Sequence, residues 1–241
     1  MEALNSRLMS AKAFIFDFYG TMVEIDYEPP QMWETLNQMG YHSCLALQEA
    51  WESDAFDGCL TPTYYDSDSS YQEWRNNNIR QFIRQSGVPL ERIESILQQL
   101  LLIEKQATKK SIQSANSIVE LLRKQGKRIG LCSNWDFPIE PYLEVAQLPL
   151  FDAVSISSIT GSRKPNAHIF YDICNKLDTC PHDAVFIGDN WLNDVRGALR
   201  VNMLPVWIRY DNPPCSLPNH VIEVKTLSHF EEQLLVLFGQ S

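Results

Sequence analysis

The sequence lacks the features that would tie it to a membrane or to a nucleic acid. Its 241 residues contain no apolar run of about 18 residues, the length that a transmembrane helix needs. Basic residues are scarce, with 20 Lys and Arg against 30 Asp and Glu, and the formal net charge is −10. Such a balance repels phosphate backbones and anionic lipids. We therefore expect a small-molecule substrate as partner, with no nucleic acid and no membrane, while the oligomeric state stays open.

Cysteine is also sparse, and no two cysteines form a close pair. The chain has six, with no Cys-x-x-Cys spacing, at positions 44, 59, 132, 174, 180 and 215. In a chain of this length that pattern is typical of free thiols in a reducing compartment, not of a disulfide framework or a zinc site. The first twelve residues lack the basic start and apolar stretch of a signal peptide. Both features predict a cytoplasmic protein.

The sequence does have many short apolar runs that alternate with amphipathic segments. Runs rich in β-branched and aromatic residues predict strands at 12–18, 128–132, 153–156, 184–187, 205–208 and 221–224. Segments with one apolar face predict helices at 112–125, 165–177, 191–201 and 228–238. Strand–helix alternation of this kind is typical of an α/β fold, in which a parallel sheet is covered by helices on both faces.

A region of different character interrupts this alternation early in the chain. Residues 25–106 have helical patterns at 31–50, 71–86 and 89–106, and no convincing strand. They also hold 13 of the acidic residues and only 5 of the basic ones. The sequence therefore predicts an α/β core formed by 1–24 and 107–241, with an acidic helical insertion at 25–106.

Polar residues follow the predicted strands at the points where the strands end. They are Asp17 after the first strand, Ser133 and Asn134 after the second, Lys164 beyond the third, and Asp189, Asn190 and Asp194 after the fourth. In an open parallel sheet, ligands bind beyond the carboxyl ends of the strands. We therefore expect three carboxylates, a lysine, a hydroxyl and an amide to converge on one site.

Four segments of the chain resemble the motifs of the haloacid dehalogenase (HAD) superfamily. They are FIFDFYGTM at 14–22, LCSN at 131–134, KPNAHIF at 164–170 and FIGDNWLND at 186–194. The resemblance covers essentially the whole chain, because the insertion falls where that family carries its helical cap. It implies a three-layer, Rossmann-like HAD core with an inserted α-helical cap domain, and a hydrolase.

The resemblance also implies a role for each motif residue. Asp17 would be the nucleophile, with Tyr19, Ser133 and Lys164 as further catalytic residues. A divalent cation would be held by Asp17, Asp189, Asp194 and the backbone carbonyl of Tyr19. Ligands that are all oxygen suit Mg²⁺ best, so Mg²⁺ is the expected cofactor.

Five residues within or next to the motifs are candidates for substrate binding: Thr21, Asn134, Trp135, Asn190 and Trp191. Asn134 could hydrogen-bond the transferred group. We interpret Thr21 as a residue that contacts substrate or stabilises its turn, and not as a catalyst. Two interpretations of Trp135 and Trp191 remain open, because either ring could form a wall of the substrate pocket or simply pack its loop.

Tyr19 departs from the pattern of the family's phosphatases. They carry an Asp two residues after the nucleophile, which protonates the departing alkoxide and then helps to activate water. Tyrosine, with a reference pKa near ~10, is a poor substitute. The family's carbon–halogen hydrolases commonly have Tyr at this position, and a halide leaves without needing a proton. On the first motif alone, the resemblance therefore favours a dehalogenase.

Two other features point back to phosphoryl chemistry. The acidic pair Asp189 and Asp194 matches the family's metal-dependent pattern, which its metal-independent dehalogenases lack. Those dehalogenases also place a cap arginine near the halide, whereas no Lys or Arg occurs here from position 13 to 74. We therefore expect Mg²⁺-dependent hydrolysis of a small phosphorylated molecule with a good leaving group. The alternatives are a 2-haloacid dehalogenase-type enzyme and a degenerate binding or regulatory protein.

Overall fold

The computed structural model describes residues 2–52, 68–135, 150–209 and 220–239, together with 139, 143, 144 and 146–148. The chain forms two compact units, one made of Met1–Glu24 and Lys110–Ser241 and the other of Ile25–Lys109. The first is called the core unit below and the second the inserted unit. The inserted unit spans Ile25–Lys109, and the predicted insertion spans 25–106.

The core unit is built on a six-stranded parallel sheet. In chain order, the strands of the described residues are β1 Ala13–Phe16, β2 Val23–Tyr27, β3 Thr108–Ser111, β4 Arg128–Ser133, β5 Ala153–Ile156, β6 Ala184–Gly188, β7 Leu204–Ile208 and β8 Ile222–Val224. The sheet has the order β5-β4-β1-β6-β7-β8, and each neighbouring pair is parallel. The predicted α/β class with a parallel sheet is confirmed.

Helices cover both faces of this sheet. Those in the described part of the core unit are Glu2–Ser10, Ala115–Lys124, Ser157–Thr160, Ala167–Lys176, Arg196–Arg200 and Leu227–Leu237. A π-helical turn, Trp191–Val195, begins the segment predicted as one helix at 191–201. Among the helices within the described ranges, none is long and apolar enough to cross a membrane.

The first strand shows why the sheet forms three layers. All four residues of β1 are buried, and successive side chains point to opposite faces. Phe14 and Phe16 pack into the apolar cluster that contains the helices Ala115–Lys124 and Leu227–Leu237. Ala13 and Ile15 pack into a second cluster with the helix Ala167–Lys176. A strand buried on both faces has to be apolar throughout, which accounts for the unbroken run AFIF.

The strand order places the end of β1 at the topological switch point of the sheet. From β1 the chain goes to β4 and β5 on one side and then to β6, β7 and β8 on the other. Phe16, the last residue of β1, pairs with Leu131 of β4 and with Ile187 of β6. The residues that follow these three strands therefore leave the sheet side by side, in the crevice where ligands of open α/β sheets bind.

A two-stranded ribbon of β2 and β3 stands where the chain passes between the units, and it was not predicted. The hydrophobic pattern predicts no convincing strand within 25–106, but β2 runs into that region as far as Tyr27. Its residues, VEIDY, are mostly exposed, and those of β3, TKKS, are all polar. A short ribbon with little buried surface leaves no apolar run, so the hydrophobic pattern could not predict it.

The inserted unit is helical, with helices Met32–Gln38, Leu45–Glu52, Asp68–Gln85 and Ile93–Glu104. The helix predicted at 31–50 is in fact two helices, because Gly40 adopts a left-handed conformation with φ of 86°. Glycine is the usual residue just past a helix end. The helices enclose a separate apolar cluster that includes Leu36, Phe82, Ile83 and Leu97.

Candidate active site

A buried lysine lies at the centre of the site. Lys164 Nζ is 2.6 Å from Oδ1 of Asp17 and 2.6 Å from Oδ1 of Asp194, and the Lys164 side chain is only 3% exposed. Burial alone would lower the pKa of Lys164, but the two carboxylates outweigh burial and raise its pKa above the ordinary value. The ammonium group is therefore charged at neutral pH and holds two carboxylates from different loops together.

Asp17 is held in place from two further directions. Its backbone N–H donates to the carbonyl of Ile187 at 2.8 Å, which extends the β1–β6 pairing by one step. The hydroxyl of Ser133 donates to Asp17 Oδ1 at 3.0 Å. Both side-chain hydrogen bonds from the described residues thus end on Oδ1, so Oδ2 of this buried carboxylate remains available. Ser133 and Lys164 together orient the carboxylate without occupying both of its oxygens.

Two more carboxylates complete a cluster around Asp17. Ligand atoms of Asp17, Asp189 and Asp194 all lie within 4.8 Å of one another. Burial, followed by repulsion from Asp17 and Asp194, raises the pKa of Asp189 to about 7. Burial also raises the pKa of Asp194 to about 6, against the attraction of Lys164. One ammonium group does not neutralise three carboxylates, so the cluster has an excess of negative charge when all three are ionised.

Two glycines make the close approach of these carboxylates possible. A Cβ on Gly20, whose φ is +81°, would lie 2.4 Å from Oδ2 of Asp189. A Cβ on Gly188 would lie 2.3 Å from Oδ2 of Asp194. Both distances are far inside van der Waals contact, so neither position accepts a larger residue without displacing a carboxylate. The sequence signal was present in the motifs, where these glycines stand close to the acidic residues.

The two asparagines predicted to bind substrate make internal hydrogen bonds. Asn134 bonds the backbone of Lys164 through both ends of its amide. Asn190 caps the turn Trp191–Val195, because its side chain accepts from the N–H of Asn193, and its own N–H donates to Asp194 Oδ2 at 2.9 Å. The structure brings both residues to the site, where these hydrogen bonds fix its loops. Their role in substrate binding stays a prediction.

The two tryptophans left open by the sequence analysis both have packing partners. Trp135 meets the Phe18 ring edge-on, with centroids 4.9 Å apart. Trp191 packs against Trp207, with centroids 4.8 Å apart. Trp207 was missed by the sequence analysis, yet its indole N–H donates to the backbone carbonyl of Asp189 at 2.9 Å. The sequence pattern of a buried strand does not show whether one of its residues makes such a hydrogen bond.

The remaining predicted residues, Tyr19 and Thr21, lie on the turn that follows Asp17. Tyr19 forms an isolated backbone bridge with Val23 and is 44% exposed. Thr21 is fully buried, and its hydroxyl has no hydrogen-bond partner among the described residues. The turn thus exposes one of the two predicted side chains and buries the other.

The donor set fits a hard divalent cation. Asp17, Asp189 and Asp194 offer only carboxylate oxygens, and they converge within 4.8 Å. Such ligands match the preference of Mg²⁺ for oxygen, and two positive charges would balance the excess negative charge left by Lys164. Burial is the main cause of the raised pKa values of Asp189 and Asp194, and repulsion among the carboxylates adds to it. A cation would relieve that repulsion.

An open parallel sheet with a buried lysine and clustered carboxylates beyond its strand ends is the arrangement of an α/β protein that binds ligands at this edge of the sheet. A family model for haloacid dehalogenase-like hydrolases matches residues 11–202. The chain therefore belongs to the haloacid dehalogenase-like hydrolase family and is a hydrolase. The expectation drawn from the four motifs is confirmed at this level.

Among similar proteins, a glyceraldehyde 3-phosphate phosphatase of Pyrococcus furiosus is 29% identical over 104 residues, which are 42% of this chain and 43% of the relative. Haloacid dehalogenase-like hydrolase domain-containing protein 3 of Bos taurus is 28% identical over 134 residues, 54% of this chain and 53% of the relative. The chain thus matches about half the length of these relatives. A crystal structure described as a dehalogenase covers 93% of this chain and 97% of its own, with a TM-score of 0.63 and 21% identity. That likeness shows the shared fold.

Proposed function

We propose that this protein is a Mg²⁺-dependent phosphatase that hydrolyses a small phosphorylated molecule through an aspartyl phosphate on Asp17. The observation that carries the proposal is the buried cluster of Asp17, Asp189 and Asp194 around the ammonium group of Lys164. Support also comes from the relative named as a phosphatase and from its family. Under this proposal the unit Ile25–Lys109 is the cap that selects the substrate.

The carboxylates and the backbone carbonyl of Tyr19 would hold Mg²⁺, with Asp17, Asp189 and Asp194 as the side-chain ligands. When bound, Mg²⁺ would supply positive charge to neutralise the phosphoryl oxygens. The ammonium group of Lys164 supplies a further positive charge from the protein itself. The hydroxyl of Ser133, which donates to Asp17 in the resting site, can donate to the transferred group instead.

The reaction would proceed in two displacements on phosphorus. A carboxylate oxygen of Asp17 forms a bond to phosphorus while the bond to the leaving oxygen breaks, and the leaving group departs with the electron pair. Water then attacks the phosphorus of the aspartyl phosphate, inorganic phosphate is released, and the carboxylate of Asp17 is regenerated. Holding Asp17 by Ser133 and Lys164 keeps it oriented for the first step.

Tyr19 restricts the substrate to one with a good leaving group. An alkoxide needs a proton as it departs, and tyrosine, with a reference pKa near ~10, is a poor general acid for that step. An acyl phosphate or an anhydride has a leaving group that departs without protonation. The proposed substrate class is therefore a small acyl phosphate or anhydride.

Replacing Tyr19 by Asp tests this restriction. The Tyr19→Asp variant should hydrolyse a simple alkyl phosphate such as glycerol 3-phosphate about 100-fold faster, because a positioned general acid contributes about 10²–10⁴-fold. Phosphate release with Mg²⁺ is the measurement, and Tyr19→Phe is the matched control that should show no gain. An absence of gain in a Tyr19→Asp protein that binds Mg²⁺ would contradict the restriction.

Carbon–halogen hydrolysis is the second candidate, and Tyr19 is the observation that favours it. The two reactions separate in one panel that measures phosphate from acetyl phosphate and halide from 2-chloropropionate, each with Mg²⁺ or with EDTA. The proposal predicts phosphate release that EDTA abolishes. Halide release that survives EDTA would establish the dehalogenase. If neither phosphate nor halide is released while the protein still binds a ligand, the result would support a binding protein.

A further inference from the structure

Asn134 contacts the backbone of Lys164 through both ends of its side-chain amide. Its Oδ1 accepts from the N–H of Lys164 at 2.7 Å, and its Nδ2 donates to the carbonyl of Lys164 at 3.0 Å. Asn134 follows β4, whereas Lys164 lies 30 residues later, before the helix Ala167–Lys176. The pair of bonds therefore joins two loops that are distant in the sequence.

These hydrogen bonds pair the backbone N–H and carbonyl of Lys164, which belong to no helix or strand. Lys164 lies outside any helix or strand and is followed by Pro165, which has no N–H to continue a hydrogen-bonding pattern. The residue is 3% exposed, so water does not supply the missing partners. A buried backbone N–H or carbonyl without a partner is destabilising, because it has lost its hydrogen bonds to water. The Asn134 amide makes the two hydrogen bonds to the Lys164 backbone that a neighbouring strand would make in a sheet.

The position of this backbone decides where the Lys164 ammonium group lies. Nζ makes contacts of 2.6 Å with both Asp17 and Asp194, and contacts this short tolerate little displacement. A lysine side chain is flexible, so its placement depends on a fixed backbone at its base and fixed carboxylates at its tip. Asn134 supplies the first of these two constraints.

We infer that Asn134 is a positioning residue that acts through Lys164 and is not a substrate contact. Both ends of its amide are engaged with Lys164, which leaves one amide N–H and one lone pair of Oδ1 for any other partner. The inference extends the proposed function by giving the residue beside Ser133 a different task from the one its motif suggests. Of the two tests below, only the kinetic one rests on the proposed phosphatase activity.

The first test reads Lys164 directly and needs no activity. A buried ammonium group held by two carboxylates gives a distinct ¹⁵Nζ resonance in lysine-labelled protein, and Lys164→Met assigns it by its loss. In substrate-free protein, Asn134→Ala should shift or broaden this resonance. Asn166→Ala is the matched control, since its side chain caps the helix Ala167–Lys176 through the N–H of His168, and it should leave the resonance in place.

The second test is a double-mutant cycle on kcat/KM for acetyl phosphate with Mg²⁺. Asn134→Ala should lower kcat/KM about 100-fold, as a misplacement of roughly 1 Å in a catalytic group does. In the Lys164→Met background the same substitution should change it less than about twofold, because residues that act as one unit are not additive. Asn134→Asp keeps the acceptor for the Lys164 N–H and serves if the alanine variant does not fold.

The outcomes separate the inference from the proposed function. A perturbed Lys164 resonance with a non-additive cycle supports it. An unchanged resonance, or equal losses in both backgrounds, would overturn it and leave substrate binding as the prediction for Asn134. If the unmodified enzyme releases no phosphate, the proposed function fails, while the resonance experiment still decides the role of Asn134.

Discussion

The core unit buries charged and polar side chains, whereas the inserted unit buries almost only apolar ones. In the described part of the core unit the buried polar residues include Asp17, Ser133, Arg163, Lys164 and Asp194. In the described part of the inserted unit they are Thr35 and Ser86, neither of which is charged. Burying a charge is costly unless it is paired, so the buried charges of the core unit support the proposal that the chemistry takes place there.

The charge on the inserted unit is on its surface instead. Residues 25–106 hold 13 acidic and 5 basic residues, yet none of those described is buried. The two units therefore differ in where their charged side chains lie. The core unit holds charged side chains in a buried cluster, whereas the inserted unit has an apolar interior and carries its charged side chains on the surface. Four substitutions test this difference.

Asp17→Asn should have the largest effect. It removes the proposed nucleophile while keeping the shape of the side chain, so phosphate release from acetyl phosphate should fall by about 10⁴-fold or more. The fold should be kept, because one of three crowded carboxylates is neutralised. Asp178→Asn, at a side chain that is 92% exposed, is the control. Activity within about tenfold of the unmodified enzyme would refute the assignment of chemistry to this cluster.

Phe82→Ala should strongly destabilise the inserted unit. Phe82 is 1% exposed and packs against Trp51, with ring centroids 5.4 Å apart. Removing a buried phenylalanine costs about 3–5 kcal/mol. Urea unfolding followed by tryptophan fluorescence measures the loss, and Leu90→Ala, at a residue 67% exposed, should change little. Equal changes in the two variants would show that apolar packing does not hold this unit together.

Trp207→Phe should weaken metal binding by about tenfold. It keeps an aromatic ring but removes the hydrogen bond to the backbone carbonyl of Asp189, and partners that orient metal ligands are worth about 10–100-fold in affinity. Calorimetric titration with Mg²⁺ is the measurement, with Trp33→Phe in the inserted unit as control. An unchanged dissociation constant for Mg²⁺ would show that Trp207 does not support the metal site.

Arg80→Gln should have the smallest effect. It breaks the ion pair with Glu94, at 2.6 Å, on the surface of the inserted unit. Exposed ion pairs contribute little because water and salt screen them. The unfolding temperature should therefore be the same as that of the unmodified protein at low and at high salt. A fall similar to that of Phe82→Ala would mean that surface charge stabilises this unit.

The sequence predicted the parts of the site that follow from strand ends. Asp17, Ser133 and Asp194 stand at the ends of buried strands or one turn later, and parallel strands bring such residues together. Lys164 was expected from its motif. The close approach of the carboxylates depends on Gly20 and on the motif glycine beside Asp189, which local sequence also signalled.

The rest of the site depends on contacts between distant residues. The bond from Trp207 to Asp189 spans 18 residues, and those from Asn134 to Lys164 span 30. A polar or aromatic residue in a motif or a strand has the same local pattern whether it faces a ligand or a loop. Tertiary structure alone decides between these, which is why the bond made by Trp207 was not predicted. The substrate-binding role of Asn134 stays a prediction, and the positioning role is proposed in its place.

Trapping the covalent intermediate tests the central claim most directly. The protein is mixed with acetyl phosphate and Mg²⁺, quenched within one turnover, and mapped by mass spectrometry for an aspartyl phosphate. The account predicts a phosphoryl group on Asp17 that is absent from Asp17→Asn and absent with EDTA. A phosphoryl group on another residue would contradict it, as would the same labelling in the Asp17→Asn protein.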